Sequence, residues 1–316
     1  MMTTTPRRAL AASVSLLLLA ASCGGDGGSD VAPGDVQPQP DAGDTAAVDQ
    51  GSGDGVEDTT LEGMMRGPCA AVDLTGFFEV VYGKNFSYFS GEVSAFPAPM
   101  AEPEVLLATG SCTVFRQVNL LCATACGGGQ LCGTESLCVD APGSEGVGTV
   151  TVSGLLTEVS LDPDEGTGFY IGSSLEHPPF APGSPIRLDA TGGNDAAFTL
   201  FGIGVDRLET EDTEWVLSAG APVSITWLPG SVPEADVEVT ISIDTLGQAP
   251  AEIRCRTEDT GTLEIAADLV DELLLAGTSG MPAGVMTRLT VDGDMIDRGC
   301  VELQVYSSLA VAVTLQ

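Results

Sequence analysis

The sequence predicts an all-β fold for most of the chain, and three observations support this prediction. Short runs of alternating or β-branched apolar residues recur from residue 77 to residue 306, and clusters of Gly, Pro, Asn and Asp separate them. Eight cysteines lie between residues 69 and 300, as expected where disulfides reinforce a β domain. A single segment has the spacing of an amphipathic helix. Together these features are typical of a β-sandwich or of several β modules.

The predicted strands are runs in which apolar and polar side chains alternate or β-branched residues cluster. In the clearest of them, Asp236–Asp244, the side chains of Val237, Val239, Ile241 and Ile243 fall on one face of the strand. The other predicted strands are Phe77–Val81, Tyr88–Ser94, Val105–Leu107, Thr113–Phe115, Thr149–Val152, Phe169–Ile171, Phe198–Phe201, Val223–Trp227, Met286–Val291 and Val301–Tyr306.

One short helix is predicted between the later strands. Apolar residues recur there with helical spacing, and Gly277 is placed to end the helix. Because its acidic residues lie largely off the apolar face, we expect the helix to cover one end of the sandwich. The apolar residues are Ala266, Leu269, Val270, Leu273 and Leu274.

The cysteines predict that the part of the chain beyond residue 66, which we call the head, is held together by disulfides. Their even number in this part indicates that they pair with one another. The Gly-rich stretch 122–138 is similar to compact cysteine knuckles of the EGF-like kind, and its spacing and lack of a nearby His argue against zinc. Cys255 and Cys300 lie far from the others and are predicted to pair with each other, while the pairing of the other six stays open. These six are Cys69, Cys112, Cys122, Cys126, Cys132 and Cys138.

Residues 1–22 have the layout of a signal peptide. Arg7 and Arg8 precede an apolar run that is too short to span a bilayer, and small residues follow it. The stretch Leu19–Cys23 resembles the lipobox of bacterial lipoproteins. The resemblance implies cleavage before Cys23 and acylation of that residue, so that several acyl chains anchor the mature chain to a lipid bilayer. Gly24, where Asp could stand, resembles the pattern of lipoproteins that are sorted to the outer membrane.

A disordered acidic linker is predicted from Cys23 to Arg66. Between Gly24 and Arg66 ten acidic residues face one basic residue, and aromatic residues are absent, so the segment cannot bury enough surface to offset its ordering entropy. Beyond it we expect an N-terminal β and cysteine-rich region at residues 67–145 and a β-sandwich region at residues 146–316. This head is acidic too, with eight Lys+Arg against 35 Asp+Glu.

Two further resemblances concern the head and the whole layout. Pro222–Trp227, the strand Val237–Ile243 and the turn Asp259–Gly261 resemble parts of immunoglobulin-like modules, which implies a core position for the Trp227 ring. The order of lipobox, acidic spacer, cysteine-rich knuckle and β head is similar to surface lipoproteins of myxobacteria and their relatives. That resemblance implies a location at the outer membrane and cell surface, and it implies no activity.

No catalytic residue is predicted. Asp259-Thr-Gly matches the aspartic-protease motif, but no second copy supplies the partner carboxylate. His177, the only histidine, lies in a Pro-rich stretch and is predicted to be a solvated loop residue, and the chain has no Gly-x-Ser-x-Gly motif. A glycosidase-like hydrolase needs only two well-placed carboxylates, so it is the alternative that the sequence leaves open.

No metal site is predicted, although calcium binding is a second alternative. Two acidic stretches, with Asp162 and Asp164 in one and Asp292, Asp294 and Asp297 in the other, offer clustered oxygens without the spacing of an EF-hand. A calcium-dependent binding module would use one of them. No other cofactor is expected.

The sequence as a whole predicts an outer-membrane-anchored surface lipoprotein with a non-catalytic binding, adhesion or envelope-structural role. Its partners would be the bilayer, through acylated Cys23, and a protein or glycan that the residues do not identify. A net charge of −34 repels phosphate backbones and excludes nucleic acid. The aromatic group Phe86, Tyr88 and Phe89 is predicted to pack in the core rather than to form a glycan-binding face.

Overall fold

The computed structural model describes residues 61–99, 102–118, 122, 124–244, 251–277 and 281–316. The predicted signal peptide, the lipid-attachment residue Cys23 and most of the predicted acidic linker lie outside these residues. In the described ranges, none of the helices has the length and apolar character that crossing a membrane requires.

The described residues form eighteen strands, two α-helices and one short 3-10 helix. The helices are α1 (Leu61–Met64) and α2 (Ala267–Ala276), and the 3-10 helix is Ala71–Asp73. The strands are β1 (Leu74–Tyr82), β2 (Ser87–Val93), β3 (Glu104–Thr109), β4 (Cys112–Arg116), β5 (Gln130–Cys132), β6 (Cys138–Asp140), β7 (Val150–Ser153), β8 (Val159–Leu161), β9 (Tyr170–Ser174), β10 (Pro185–Ala190), β11 (Phe198–Ile203), β12 (Glu214–Leu217), β13 (Val223–Thr226), β14 (Asp236–Asp244), β15 (Ala251–Glu258), β16 (Thr262–Ile265), β17 (Met281–Ile296) and β18 (Gly299–Leu315).

One large sheet runs through the centre of the molecule. Its path is β3-β4-β15-β14-β17-β18-β1-β2-β9, and β12 pairs with the end of β18. β1 and β12 run parallel to β18, whereas the other neighbouring strands are antiparallel. The predicted all-β class is therefore confirmed, and every predicted strand overlaps an observed one.

The inner face of this sheet is covered by two separate layers, which gives two hydrophobic cores. The sheet β11-β10-β7-β8 packs over β1, β2 and the first half of β18, around Phe78 and Leu303. The pair β13-β16 and helix α2 pack over β14, β15 and β4, around Val239 and Ile253. This arrangement is the predicted β-sandwich, and the buried face of α2 (Leu269, Val270 and Leu273) confirms the predicted helix.

Three buried polar side chains of β17 lie on the inner face between the two cores. Arg288, Thr290 and Asp292 are each at most 2% exposed. They follow Met286, which belongs to one core, and precede Ile296, which packs against the other. Because side chains alternate along a strand, all of these even-numbered residues share one face. The centre of the sandwich is therefore a polar seam rather than one continuous apolar core.

The eight cysteines of the head form four disulfides. The bonds are Cys69–Cys300, Cys112–Cys255, Cys122–Cys132 and Cys126–Cys138. The last two bonds close the predicted knuckle around the hairpin β5-β6.

The predicted pairing of Cys255 with Cys300 is wrong. Cys255 on β15 lies directly opposite Cys112 on β4, with a Cα–Cα distance of 4.0 Å. Cys300 is the second residue of β18, and β14 and β17 separate β15 from β18. Three strand spacings amount to roughly 14 Å, which no disulfide can bridge.

The last residues of the predicted linker lie against the head. The Arg66 N–H donates to Oδ1 of Asp292 at 2.7 Å, and its guanidinium contacts both Asp292 and Asp294. The same guanidinium donates to the carbonyl oxygen of Thr199. Together with the Cys69–Cys300 disulfide, these contacts fix the start of the head beside the first residues of β18.

Candidate functional site

A groove opens where β1 leaves the side of β18. The ladder between these strands ends at the pair Val81 and Tyr306, and β12 takes up pairing with β18 only at Ala312. Within the part of the chain that the structure describes, Ser307–Val311 therefore pairs with β17 alone. A cavity of about 260 Å³ lies beside this segment, and we call it the β18 groove. Its lining residues are Lys84, Arg207, Leu208, Glu209, Thr210, Ser307, Ser308 and Leu309.

Two local structures place side chains in the β18 groove. The β1–β2 hairpin turns tightly, with the N–H of Gly83 donating to the carbonyl oxygen of Phe86, and this turn carries Lys84 past the end of β1. A side chain at position 83 would collide with the Phe86 ring, which explains the glycine there. On the other wall, the N–H of Leu208 donates to Oγ of Ser307 at 3.0 Å and holds the extended segment after β11 against the sheet.

Lys84 differs from the other basic residues of the head. Every arginine that the structure describes makes an ion pair with an acidic residue, and Arg207 in the groove pairs with its neighbour Glu209. No acidic residue among those described lies within ion-pair distance of Lys84. The groove thus holds an uncompensated positive charge on an otherwise acidic head. The paired arginines are Arg66, Arg116, Arg187, Arg207, Arg254, Arg256, Arg288 and Arg298.

The only histidine lies beside the same hairpin. Nδ1 of His177 is 2.8 Å from Oγ of Ser87, and its ring meets the Tyr82 ring edge-on at a centroid distance of 5.5 Å. His177 is exposed, as predicted, but its serine partner was not predicted because ninety residues separate the two. Ser87 is only 2% exposed, so its hydroxyl orders the loop and is poorly placed to attack a substrate.

A hydrogen-bonded group of polar side chains lies on the outer face of β1, β2 and β18. The carboxylate of Glu79 accepts bonds from the hydroxyls of Tyr306 and Ser90, each at 2.6 Å. Burial and the adjacent Glu79 carboxylate raise the pKa of Tyr306 far above its ordinary value, and the same two causes raise the pKa of Tyr88. Tyr306 and Ser308 are two residues apart on one face, so this group borders the β18 groove.

The aromatic group Phe86, Tyr88 and Phe89 is split between two faces, contrary to the prediction that it packs in the core. Phe89 is fully buried, as predicted. Phe86 is 55% exposed and stacks on Tyr88 with centroids 6.1 Å apart. Because alternation sends Tyr88 to the face opposite Phe89, only one of the three rings can reach the core.

Two carboxylates on the outer face are buried. Glu302 accepts bonds from the N–H of Cys69 and the side-chain amide of Gln304, and Glu238 pairs with Arg256. Burial raises the pKa of both carboxyls above the ordinary value, although these partners act in the opposite direction. The hydrolase alternative requires two such groups in a cleft. The β18 groove contains one carboxylate, that of Glu209, and so the hydrolase stays a prediction.

The raised pKa of Glu302 predicts a pH dependence of stability. The folded state holds this proton more tightly than the unfolded chain, so the stabilisation is complete below the ordinary carboxyl range and is lost as the pH rises through the raised pKa. We expect Glu302→Gln, which carries no charge, to lessen the fall in the free energy of unfolding from about pH 4 towards neutrality. Urea unfolding at a series of pH values measures this slope. Glu104→Gln, at an exposed ion pair, is the control, and an unchanged slope for Glu302→Gln would contradict the prediction.

The protease-like residue Asp259 is committed to a buried ion pair. Its Oδ1 accepts bonds from Trp227 Nε1 at 2.6 Å and Arg288 Nη2 at 3.2 Å, and its Oδ2 accepts from the N–H of Gly230. Nε of Arg288 also lies 2.7 Å from Oδ2, outside hydrogen-bonding geometry. The partner of this carboxylate is therefore a cation, whereas an aspartic protease needs a second carboxylate there. The ring of Trp227 is buried in the core, as predicted.

The predicted calcium candidates do not form a loop of free oxygens. Asp292 and Asp294 belong to β17, where the Arg66 guanidinium lies between them, and only Asp297 follows the strand end. Oδ1 of Asp164 accepts bonds from Gly166 and Thr167, which lower the pKa of the Asp164 carboxyl, and Asp162 accepts from a threonine. Calcium binding by these residues stays a prediction.

The knuckle brings the sulfur atoms of Cys122, Cys126 and Cys138 within 4.8 Å of one another. Each of these atoms is part of a disulfide, so none is a thiolate that could bind zinc. The cluster is structural, in agreement with the preference for disulfides over zinc in the sequence.

No protein-family model matches the chain, and no curated protein matches it. The crystal structure of the FN1–FN3 domains of chicken CNTN1 matches 69% of this chain and 67% of that chain at 10% identity, with a TM-score of 0.16. A likeness at this TM-score supports no argument about fold or function.

Proposed function

We propose that this chain is an extracytoplasmic, lipid-anchored surface protein whose acidic β head acts by non-catalytic binding. The observation that carries the proposal is the use of cysteine. All eight cysteines of the head are consumed in four disulfides, a pattern typical of oxidising compartments. The ninth, Cys23, directly follows an apolar run and small residues, in the arrangement of a bacterial lipobox.

The point at which the linker joins the head supports a role in presenting the β18 groove to a partner. The linker joins the head where Arg66 and Cys69 meet the first residues of β18, and the β18 groove lies at Ser307–Val311, roughly 25 Å farther along the same strand. A head that is tethered at one end leaves the opposite end free to meet a partner in solution. The location at the outer membrane and cell surface belongs to this proposal.

The chemistry of the described side chains supports binding over catalysis. Asp259 is neutralised by Arg288, Ser87 is buried beside His177, and the groove carboxylate of Glu209 is paired with Arg207. Each of these three groups is thus held by an internal partner. The net charge of −34 favours solubility and exclusion of nucleic acid.

Lipid labelling of Cys23 tests this proposal. We expect the full chain, produced in a Gram-negative host with labelled palmitate, to carry the label and to partition into detergent, because acyl chains anchor it. Cys23→Ser is expected to lose both properties. Cys126→Ser with Cys138→Ser removes two sulfur atoms from the knuckle and should keep the label. A wild-type chain that carries no palmitate would overturn the lipid anchor.

A further inference from the structure

We propose that the β18 groove binds an extended peptide that carries one carboxylate, with the peptide backbone pairing with Ser307–Val311 and its carboxylate meeting Lys84. This inference rests on the proposed function in one respect, that the head acts by binding. It adds the site and the chemical class of the ligand.

The backbone of β18 provides the first argument. On one side, Ser307–Val311 pairs with β17, through register partners such as Thr287 with Ser308. On its other side β1 has ended, and within the described ranges no strand pairs with these five residues. A strand edge with free N–H and C=O groups is a template for another extended chain.

The sequence of this edge provides the second argument. Proteins that avoid edge pairing place a Lys, a Pro or an inward charge on such a strand. The segment Ser-Ser-Leu-Ala-Val at 307–311 contains none of these residues. Five residues extend over roughly 16 Å, which is enough for a short peptide strand.

The charges around the groove define the ligand further. Lys84 lies at the point where β1 turns away and has no acidic partner in the described part of the head, whereas Arg207 is neutralised by Glu209. One carboxylate of a ligand would complete the pairing of Lys84. Additional acidic residues would be repelled by the head as a whole, where 35 Asp+Glu outnumber eight Lys+Arg. The ligand is therefore an extended, largely uncharged peptide with one carboxylate, either at its C-terminus or on a side chain.

The test uses fluorescence anisotropy with the full mature chain in detergent. The probe is a pentapeptide of alternating threonine and valine, with an uncharged coumarin fluorophore at its N-terminus and a free C-terminal carboxylate. A C-terminally amidated probe removes the carboxylate, and an amidated probe with one internal aspartate moves it to a side chain. In an extended peptide, successive N–H groups point to opposite edges. Two further probes are therefore N-methylated on alternate peptide nitrogens, the first on the even-numbered residues and the second on the odd-numbered ones, so that each probe can donate hydrogen bonds from one edge only.

We expect saturable binding of the free-acid probe and about fivefold weaker binding to Lys84→Ala, as one exposed charge pair allows. Arg187→Ala, which removes a positive charge from an exposed pair on β10, is expected to bind like wild type. One of the two N-methylated probes should lose binding, and the other should retain it. If only the aspartate-containing amide binds, the carboxylate source is a side chain, and the proposal stands.

Three results would overturn the inference: no binding of any probe up to about 1 mM, equal affinity of Lys84→Ala and wild type, or equal binding of both N-methylated probes. These outcomes are separate from the fate of the lipid anchor. A chain that binds the probe but carries no palmitate refutes the anchor alone, and a labelled chain that binds no probe refutes the groove alone.

Discussion

Replacing Asp259 with alanine is expected to lower the free energy of unfolding by about 3–5 kcal/mol. The substitution leaves the guanidinium of Arg288, which is 1% exposed, buried without its counter-charge. It also removes the acceptor for Trp227 Nε1 and the N–H of Gly230. Urea unfolding followed by tryptophan fluorescence measures the change.

The matched control for this prediction is an exposed ion pair. Glu104 and Arg116 are both nearly half exposed, so Glu104→Ala is expected to cost less than about 1 kcal/mol. A loss for Asp259→Ala as small as that of Glu104→Ala would show that the polar seam between the two cores is not a structural requirement.

Removing the Cys69–Cys300 disulfide is expected to destabilise the head by about 5 kcal/mol, and removing Cys126–Cys138 by about 3 kcal/mol. The difference follows from the closed loops, whose sequence separations are 231 and 12 residues, because a longer loop restricts the unfolded chain more. Each pair is replaced by two alanines, and urea midpoints are compared with that of wild type.

Peptide mapping of the unreduced protein by mass spectrometry is the companion measurement. It is expected to recover Cys69 linked to Cys300 and Cys112 linked to Cys255. A fragment that joins Cys255 to Cys300 would contradict both the strand order and the stability ranking.

The sequence predicted eleven of the eighteen described strands and missed seven, namely β5, β6, β8, β10, β12, β15 and β16. In two of the missed strands, charged residues obscure the apolar alternation. In β10, Arg187 and Asp189 alternate with Ile186 and Leu188, and the two charges pair with each other on the exposed face. β15 has the same character, because Arg254 and Glu252 pair across its outer face while Ile253 is buried. In both strands, buried and exposed residues alternate with a period of two. Each strand has so few apolar residues, however, that its sequence resembles that of a loop.

The candidate site could not be predicted, because it depends on the order of the strands. Lys84, Arg207 and Ser308 come from three separate parts of the chain and meet only because β18 continues after β1 has ended. The one signal in the sequence was the presence of a single lysine. The prediction of disulfide pairing failed for the same reason. Cys255 faces Cys112 only because β4 lies beside β15 in the sheet.

The parallel pairing of β1 with β18 determines when the head can fold. Among the described strands, β1 comes first in the chain and β18 comes last. In the sheet, however, β18 lies between the half that contains β1, β2 and β9 and the half that contains β17 and β14. The two halves of the central sheet therefore cannot join before β18 is present. Contacts this distant in sequence form slowly. Under the proposed export, the central sheet would close only after β18 has crossed the membrane, in the compartment that receives the chain.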